Sequence, residues 1–186
     1  TELGQHSILV DRFGEQIAIQ DSAAPIRDRR GQVMGSVMVF HDVNKERSLR
    51  RQLAYQASHD PLTGLINRRE FEVRLQEALD ASRETPGLTH VLLYLDLDQF
   101  KIVNDTCGHI AGDQLLKEIA ALMPHNIRAS DCLARLGGDE FGVLMFDCPV
   151  RQAEKVADSL RAAIRDFTFS WDRKTFDVGV SIGLDA

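Results

Sequence analysis

Between His90 and Gln99 the chain reads Val91-Leu92-Leu93-Tyr94-Leu95-Asp96-Leu97-Asp98, an apolar run that closes on two carboxylates. A run this short, this apolar and this free of turn formers fits a strand in the middle of a sheet, covered on both faces. Such a strand needs neighbours and cover, and the flanking sequence offers them. A helix is predicted over 67–84, with Phe71, Leu75 and Leu79 on one side, and Thr85-Pro86-Gly87 breaks it. Further on come a helix over 112–123, a hairpin with strands over 132–136 and 141–146 around Gly137-Gly138, and a helix over 151–166. Phe176, Val178, Val180 and Ile182 then alternate as one last strand.

The first third has another texture. Residues 14–28 are extended in character, with Ile17 and Ile19 alternating with polar neighbours, and Asp28-Arg29-Arg30-Gly31 is a turn signal. Residues 33–43 follow as an apolar, β-branched strand. Two strands do not make a domain, so residues 1–43 read as the end of one begun upstream. From Asn44 the chain turns to Lys, Glu, Arg, Leu, Gln and Ala, all good helix formers. Leu49, Leu53 and Ala57 make a stripe narrow enough for a two-helix seam. The helix should end near Ser58-His59-Asp60, because Pro61 disfavours helical geometry in the residue before it.

Composition narrows the function classes. The chain has 186 residues, of which 44% are apolar, enough for a packed core. A net charge of −6, with acids spread among bases, argues against a protein that holds nucleic acid by bulk charge. Cys107, Cys132 and Cys148 lack metal-site spacing and read as reduced, half-buried thiols of a cytoplasmic protein. No apolar run is long enough to span a bilayer, so no membrane contact is expected of these residues, though a longer parent protein would be free to carry an anchor.

Two segments carry chemistry. Period-two geometry puts Asp96 and Asp98 on one side of their strand, where a hard divalent cation would be their natural partner. Taken alone, this segment is better read as two aspartates capping a strand. In Gly137-Gly138-Asp139-Glu140-Phe141 the glycines let a ligand approach the backbone, and adjacent acids repel unless a cation lies between them. Taken alone, this too reads fairly as a plain turn with solvated acids. Together, two acids on neighbouring strands of one sheet form a two-metal phosphoryl-transfer site of the polymerase-palm type. Lys101 would meet the phosphates as a point charge.

From Asp60 onward the chain resembles the GGDEF-domain diguanylate cyclases. The resemblance lies in Asp60-Pro61-Leu62-Thr63-Gly64-Leu65-Ile66-Asn67-Arg68-Arg69, in Asp96 to Asp105, in Gly108-His109-Ile110-Ala111-Gly112-Asp113, and in the signature Gly137 to Phe141, in order and properly spaced. It implies an α+β, palm-like fold of the nucleotidyl-cyclase or ferredoxin-like kind, with a central antiparallel sheet of five strands flanked by helices. It implies condensation of two GTP into cyclic di-GMP with release of pyrophosphate. By the same resemblance Asp96, the Leu97 carbonyl, Asp139 and Glu140 would bind Mg²⁺ or Mn²⁺. Asp139, Lys101 and Glu140 would be catalytic, with Asp139 assisting deprotonation of the attacking hydroxyl. Asn104 and Asp113 would read the guanine edge, and Phe100, His109, Gly137 and Gly138 would line the substrate site. Because one site holds one GTP, the reaction requires a homodimer.

The family resemblance extends to three further features. Arg128-Ala129-Ser130-Asp131, with five residues between Asp131 and Gly137, resembles the family's RxxD inhibitory site, at which cyclic di-GMP restrains the enzyme. Asp42-Val43-Asn44-Lys45-Glu46-Arg47 resembles the exit of PAS sensor domains. This implies a PAS remnant over 1–43, a signalling linker helix over 44–59 and a GGDEF domain over 60–186. The family pattern continues with a helix bearing phosphate-binding Lys and Arg, expected beyond Ala186, and without it turnover by these residues alone is in doubt. One alternative is a GTP-binding regulatory GGDEF module that controls a following cyclic di-GMP phosphodiesterase. Another is a sensor-dimerisation module without nucleotide chemistry.

Overall fold

The structure, a computed structural model, describes residues 7–186, without the side chains of Glu46, Arg47 and Arg51. Residues 1–6 of the expected PAS remnant, and the Glu46 and Arg47 side chains of its exit motif, lie outside the described residues. The chain divides into two units, Thr1–Tyr55 and Gln56–Ala186.

In the first unit, β1 (Ser7–Val10), β2 (Gln16–Arg27) and β3 (Val33–Asp42) form an antiparallel sheet in sequence order. The predicted turn joins β2 to β3. Asp28 Oδ1 accepts from Arg30 N and Gln32 N, both at 2.8 Å, and Gly31 takes a φ of +81°. The helix α1 (Asn44–Ser58) follows, opened by Asp42 Oδ1, which accepts from Asn44 N at 2.8 Å. Leu49 and Leu53 are exposed along it.

The second unit begins with β4 (Ile66–Asn67) and α2 (Arg68–Glu84). Asn67 caps α2, its side chain accepting from Glu70 N. Then come β5 (Val91–Asp98), α3 (Phe100–Cys107), α4 (His109–Leu122), a short 3-10 turn at Met123–Asn126, β6 (Cys132–Gly137), β7 (Glu140–Met145), α5 (Val150–Asp166), β8 (Thr168–Trp171), β9 (Lys174–Asp177) and β10 (Gly179–Asp185). The five-stranded sheet has the order β10-β5-β7-β6-β4. All pairs are antiparallel except the edge pair β4–β6, which is parallel. This is the expected α+β architecture, a central sheet flanked by helices, with one parallel edge.

The core lies mainly on one face. Val91, Leu93, Leu95 and Leu97 of β5 and Phe141, Val143 and Met145 of β7 pack with Leu115, Leu116 and Ile119 of α4 and Leu160 and Ile164 of α5. Each fully buried side chain of this kind contributes about 1.5–3 kcal/mol. On the other face Phe71 and Ala78 of α2 cover Ala134 and Leu144. Strand β5 departs here from the expectation of cover on both faces. Its alternate residues Tyr94 and Asp96 are exposed, because Leu92 is the one residue of β5 that packs in the apolar cluster under α2.

Three other expectations change. Residues 100–107 form a helix, α3, with Val103 buried and Phe100 and Cys107 packed against the core. Gly108, at a φ of +85°, separates it from α4, which therefore begins at His109 and not at 112. The alternating residues from Phe176 to Ile182 are not one strand. Asp172 and Arg173, at φ of +46° and +66°, close a separate β8–β9 hairpin, and only β10 joins the main sheet. Cys132 and Cys148 are buried, whereas Cys107 alone is half-buried. Among the described residues no helix is long and apolar enough to cross a membrane.

Candidate functional site

Pairing of β5 with β7 brings the two acidic segments together. Asp96 stands directly opposite Glu140. One residue further, Leu97 N donates to the Asp139 carbonyl at 3.3 Å. Leu95, Leu97 and Phe141 point into the core, so the period of two sends Asp96 and Glu140 to the opposite, open face. Burial, followed by repulsion from Asp139, Glu140 and Asp98, pushes the Asp96 carboxyl above its ordinary value of 3.8. Glu140 is met by Arg68 at 3.4 Å.

Asp98 shares that face but is engaged elsewhere. Its Oδ1 accepts from Ser181 Oγ at 2.8 Å, and a methyl group on Gly179 would come within 2.7 Å of its Oδ2. Strand β10 therefore claims Asp98 and leaves Asp96 as the free carboxylate of the pair. Among the described residues no three carboxylate, imidazole or thiol groups already converge as a ready-made metal cluster. Asp96, Asp139 and the Leu97 carbonyl would supply an all-oxygen donor set of the kind Mg²⁺ or Mn²⁺ takes, and the repulsion on Asp96 is what a divalent cation would relieve.

The hairpin tip is held by a residue that the sequence did not single out. Gly137 and Gly138 take φ of +143° and +53°, values that L side chains resist. The Gly138 carbonyl accepts from Arg135 Nε at 3.1 Å and Nη2 at 2.8 Å. The same guanidinium reaches back to Asp60, with Nη1 at 3.2 Å from Oδ1 and 3.3 Å from Oδ2. Asp60 Oδ1 also accepts from Thr63 N and Thr63 Oγ1, at 2.8 and 2.7 Å. Burial works to raise the Asp60 pKa, but the bonds from Thr63 and the charge of Arg135 outweigh it and hold the carboxyl below its ordinary value. One cation thus ties the turn before Asp139 to the segment that follows α1. The available signal was a lone arginine inside an otherwise apolar strand, two residues before the glycines.

A second corner forms where α3 meets α4. Gln99 adopts a left-handed φ of +63°, which turns the chain from β5 into α3. Asn104 Oδ1 is buried without a hydrogen-bond partner. It lies so close to Gly112 that any side chain there would overlap it, and the Phe100 ring lies 3.1 Å from the same point. An orphaned amide oxygen in a cradle closed by a glycine and an aromatic ring is suited to receive a ligand's N–H donor. His109 and Asp113 are exposed in the first two turns of α4, and Lys101 is exposed on α3. No described ion pair joins Lys101 to the acids.

Arg128 and Asp131 lie at the other end of β6, about 20 Å of strand from Gly137. They form a turn. Asp131 N donates to the Arg128 carbonyl at 3.0 Å, and Arg128 N donates to Asp131 Oδ2 at 3.1 Å. The other Asp131 oxygen is buried without a partner.

Residues 57–186 match the family model described as diguanylate cyclase, GGDEF domain. Over 180 residues, 97% of the chain, it is 44% identical to a probable diguanylate cyclase, DgcE, of Escherichia coli. It is also 36% identical over 169 residues, 89% of the chain, to the cyclic di-GMP phosphodiesterase PdeB of Shewanella oneidensis. The chain spans only 16% and 19% of the lengths of these two relatives. Among solved structures, the coiled coil and GGDEF domain of DgcB from Caulobacter crescentus, in complex with c-di-GMP, superposes with a TM-score of 0.69 at 28% identity. That match covers 76% of this chain and 75% of the other.

Proposed function

The chain belongs to the GGDEF family, and on that premise we propose that it is the catalytic core of a diguanylate cyclase that condenses two GTP into cyclic di-GMP and two pyrophosphates. The observation that carries the reading is the pairing of β5 with β7, which sets Asp96 opposite Glu140 on the open face of the sheet and the Asp139 main chain against Leu97. Asp96, Asp139 and the Leu97 carbonyl would hold Mg²⁺ or Mn²⁺, with Glu140 beside them. Such an ion, when bound, screens the phosphates and acidifies the attacking 3′-hydroxyl.

The remaining work falls to side chains. Asn104 and Asp113 hydrogen-bond the guanine edge, flanked by Phe100 and His109. Gly137 and Gly138 let the nucleotide approach the backbone. Lys101 offsets charge that develops on the phosphates as the bond to pyrophosphate breaks. The 3′-oxygen of each GTP attacks the α-phosphorus of the other, pyrophosphate leaves, and the hydroxyl proton passes to Asp139 and then to water. Each domain presents one nucleotide, so two copies meet face to face. The exposed Leu49 and Leu53 of α1 suit a paired linker helix that sets how they meet. A PAS remnant before it, product inhibition at Arg128 and Asp131, and a cytoplasmic location complete the proposal.

The test is incubation of the chain, and of any longer parent protein that contains it, with GTP and Mg²⁺, followed by chromatography of the nucleotides. Absence of cyclic di-GMP at every protein concentration rejects a cyclase. The relative named as a phosphodiesterase favours one second reading, a GGDEF module in which GTP binding governs hydrolysis of cyclic di-GMP elsewhere in the parent. That reading requires GTP to change the parent's hydrolysis rate. A sensor-dimerisation module would leave calorimetry silent with a non-hydrolysable GTP analogue up to millimolar concentration.

A further inference from the structure

The three acids at the β5–β7 end are not equivalent. Like charges directly opposed on adjacent strands work against the pairing, and Asp96 and Glu140 are so opposed. Among the described residues only Glu140 has its charge met by an ion pair. Arg68, the first residue of α2, places Nη2 at 3.4 Å from Glu140 Oε2. Tyr94, two residues before Asp96 on β5, lies near the same carboxylate, whose influence raises the pKa of its hydroxyl. Asp96 and Asp139 enter no ion pair among the described residues. The Arg68 and Glu140 side chains are 56% and 35% exposed, so their bridge adds little to stability. Its consequence is where it holds the carboxylate.

We propose that Arg68 is a positioning residue that reserves Glu140, keeping this glutamate out of the divalent ion's ligand set and leaving Asp96, Asp139 and the Leu97 carbonyl to hold the ion. The inference rests on the metal reading above and sorts its acids. Arg68 and Tyr94 approach Glu140 from α2 and β5, whereas the Asp139 carbonyl is bound to Leu97. Two carboxylates balance the two charges of the ion. A third would over-neutralise it and weaken its pull on phosphate oxygens.

Manganese(II) binding to the full chain, read from the electron paramagnetic resonance signal of the free aqueous ion, tests the proposal with circular dichroism as the check on folding. Asp96→Asn should weaken binding at least about tenfold, as expected for a direct ligand. Glu140→Gln should change it by less than about threefold, the scale of an exposed charge interaction. Arg68→Gln should tighten binding by about threefold as Glu140 becomes free to join the ion. That gain should vanish in the Arg68→Gln/Glu140→Gln double variant, and Arg68→Lys should resemble the parent. A Glu140→Gln defect as large as that of Asp96→Asn overturns the assignment, as does an Arg68→Gln gain that survives in the double variant. A parent chain that binds no manganese rejects the metal reading itself, and this inference with it.

Discussion

Replacing Arg135 by Met keeps most of the aliphatic stem and removes the guanidinium that joins the hairpin tip to Asp60. Four contacts go, two to the Gly138 carbonyl at 2.8 and 3.1 Å and two to the Asp60 carboxylate at 3.2 and 3.3 Å. The side chains of the ion pair are only 14% and 18% exposed. An exposed pair contributes about 0–1 kcal/mol, and breaking a fully buried one costs about 3–5 kcal/mol. This pair lies nearer the buried limit, but Asp60 keeps its bonds from Thr63 and Gly138 is exposed to water. The expected loss is therefore about 2–3 kcal/mol. For a unit of this size that lowers Tm by roughly 6–12 °C, readable by calorimetry or circular dichroism. The pH dependence adds a second signature. Because the folded Asp60 pKa is lowered, its ionised form stabilises the fold above its ordinary value of 3.8, and that contribution is lost as pH falls through the lower folded value. The gap between Arg135→Met and the parent should narrow on acidification below 3.8. A Tm within about 2 °C of the parent at neutral pH, the scale of an ordinary surface change, would refute the clamp.

Three other substitutions follow from the same geometry. In chelator at pH 7, Asp96→Asn should melt about 1–3 °C above the parent, because it removes a carboxylate opposed by other acids. That difference should disappear below pH 3.8, where the folded group, with its raised pKa, is already protonated. Gly112→Ala gains about 1 kcal/mol of helix propensity but overpacks Asn104 and Phe100 at a cost of about 1–3 kcal/mol. It should lower Tm and weaken a non-hydrolysable GTP analogue at least about tenfold in calorimetry, the scale of one lost buried hydrogen bond. Arg128 uses only its main chain in the Asp131 turn. Arg128→Ala should thus leave stability within about 0.5 kcal/mol while abolishing cyclic di-GMP binding, as titration calorimetry would register.

Much of the architecture could be read from local pattern because burial imposes it. The apolar run at Val91–Asp98, the Gly137-Gly138 turn and the amphipathic helix at Val150–Asp166 each declare their conformation within a few residues. What escaped had a pattern shared by two outcomes. Phe176 to Ile182 alternate identically whether the chain runs on or breaks at Val178, and the deciding signal was the left-handed Asp172-Arg173 pair. The helix at Phe100–Cys107 is eight residues long, too short for a full hydrophobic period to stand out.

The sequence by itself determined the family, the order of most elements and the residue types at the site, because these rest on periodicity, turn chemistry and motif spacing. Only the tertiary structure decided which of these residues meet. Asp98 is taken by Ser181, Arg135 by Asp60 and Gly138, and Arg68 by Glu140, across 83, 75, 3 and 72 residues of chain respectively. Three of these four contacts join distant segments, and such contacts depend on strand order and register. A strand's alternation fixes its two faces but not which neighbour it pairs with.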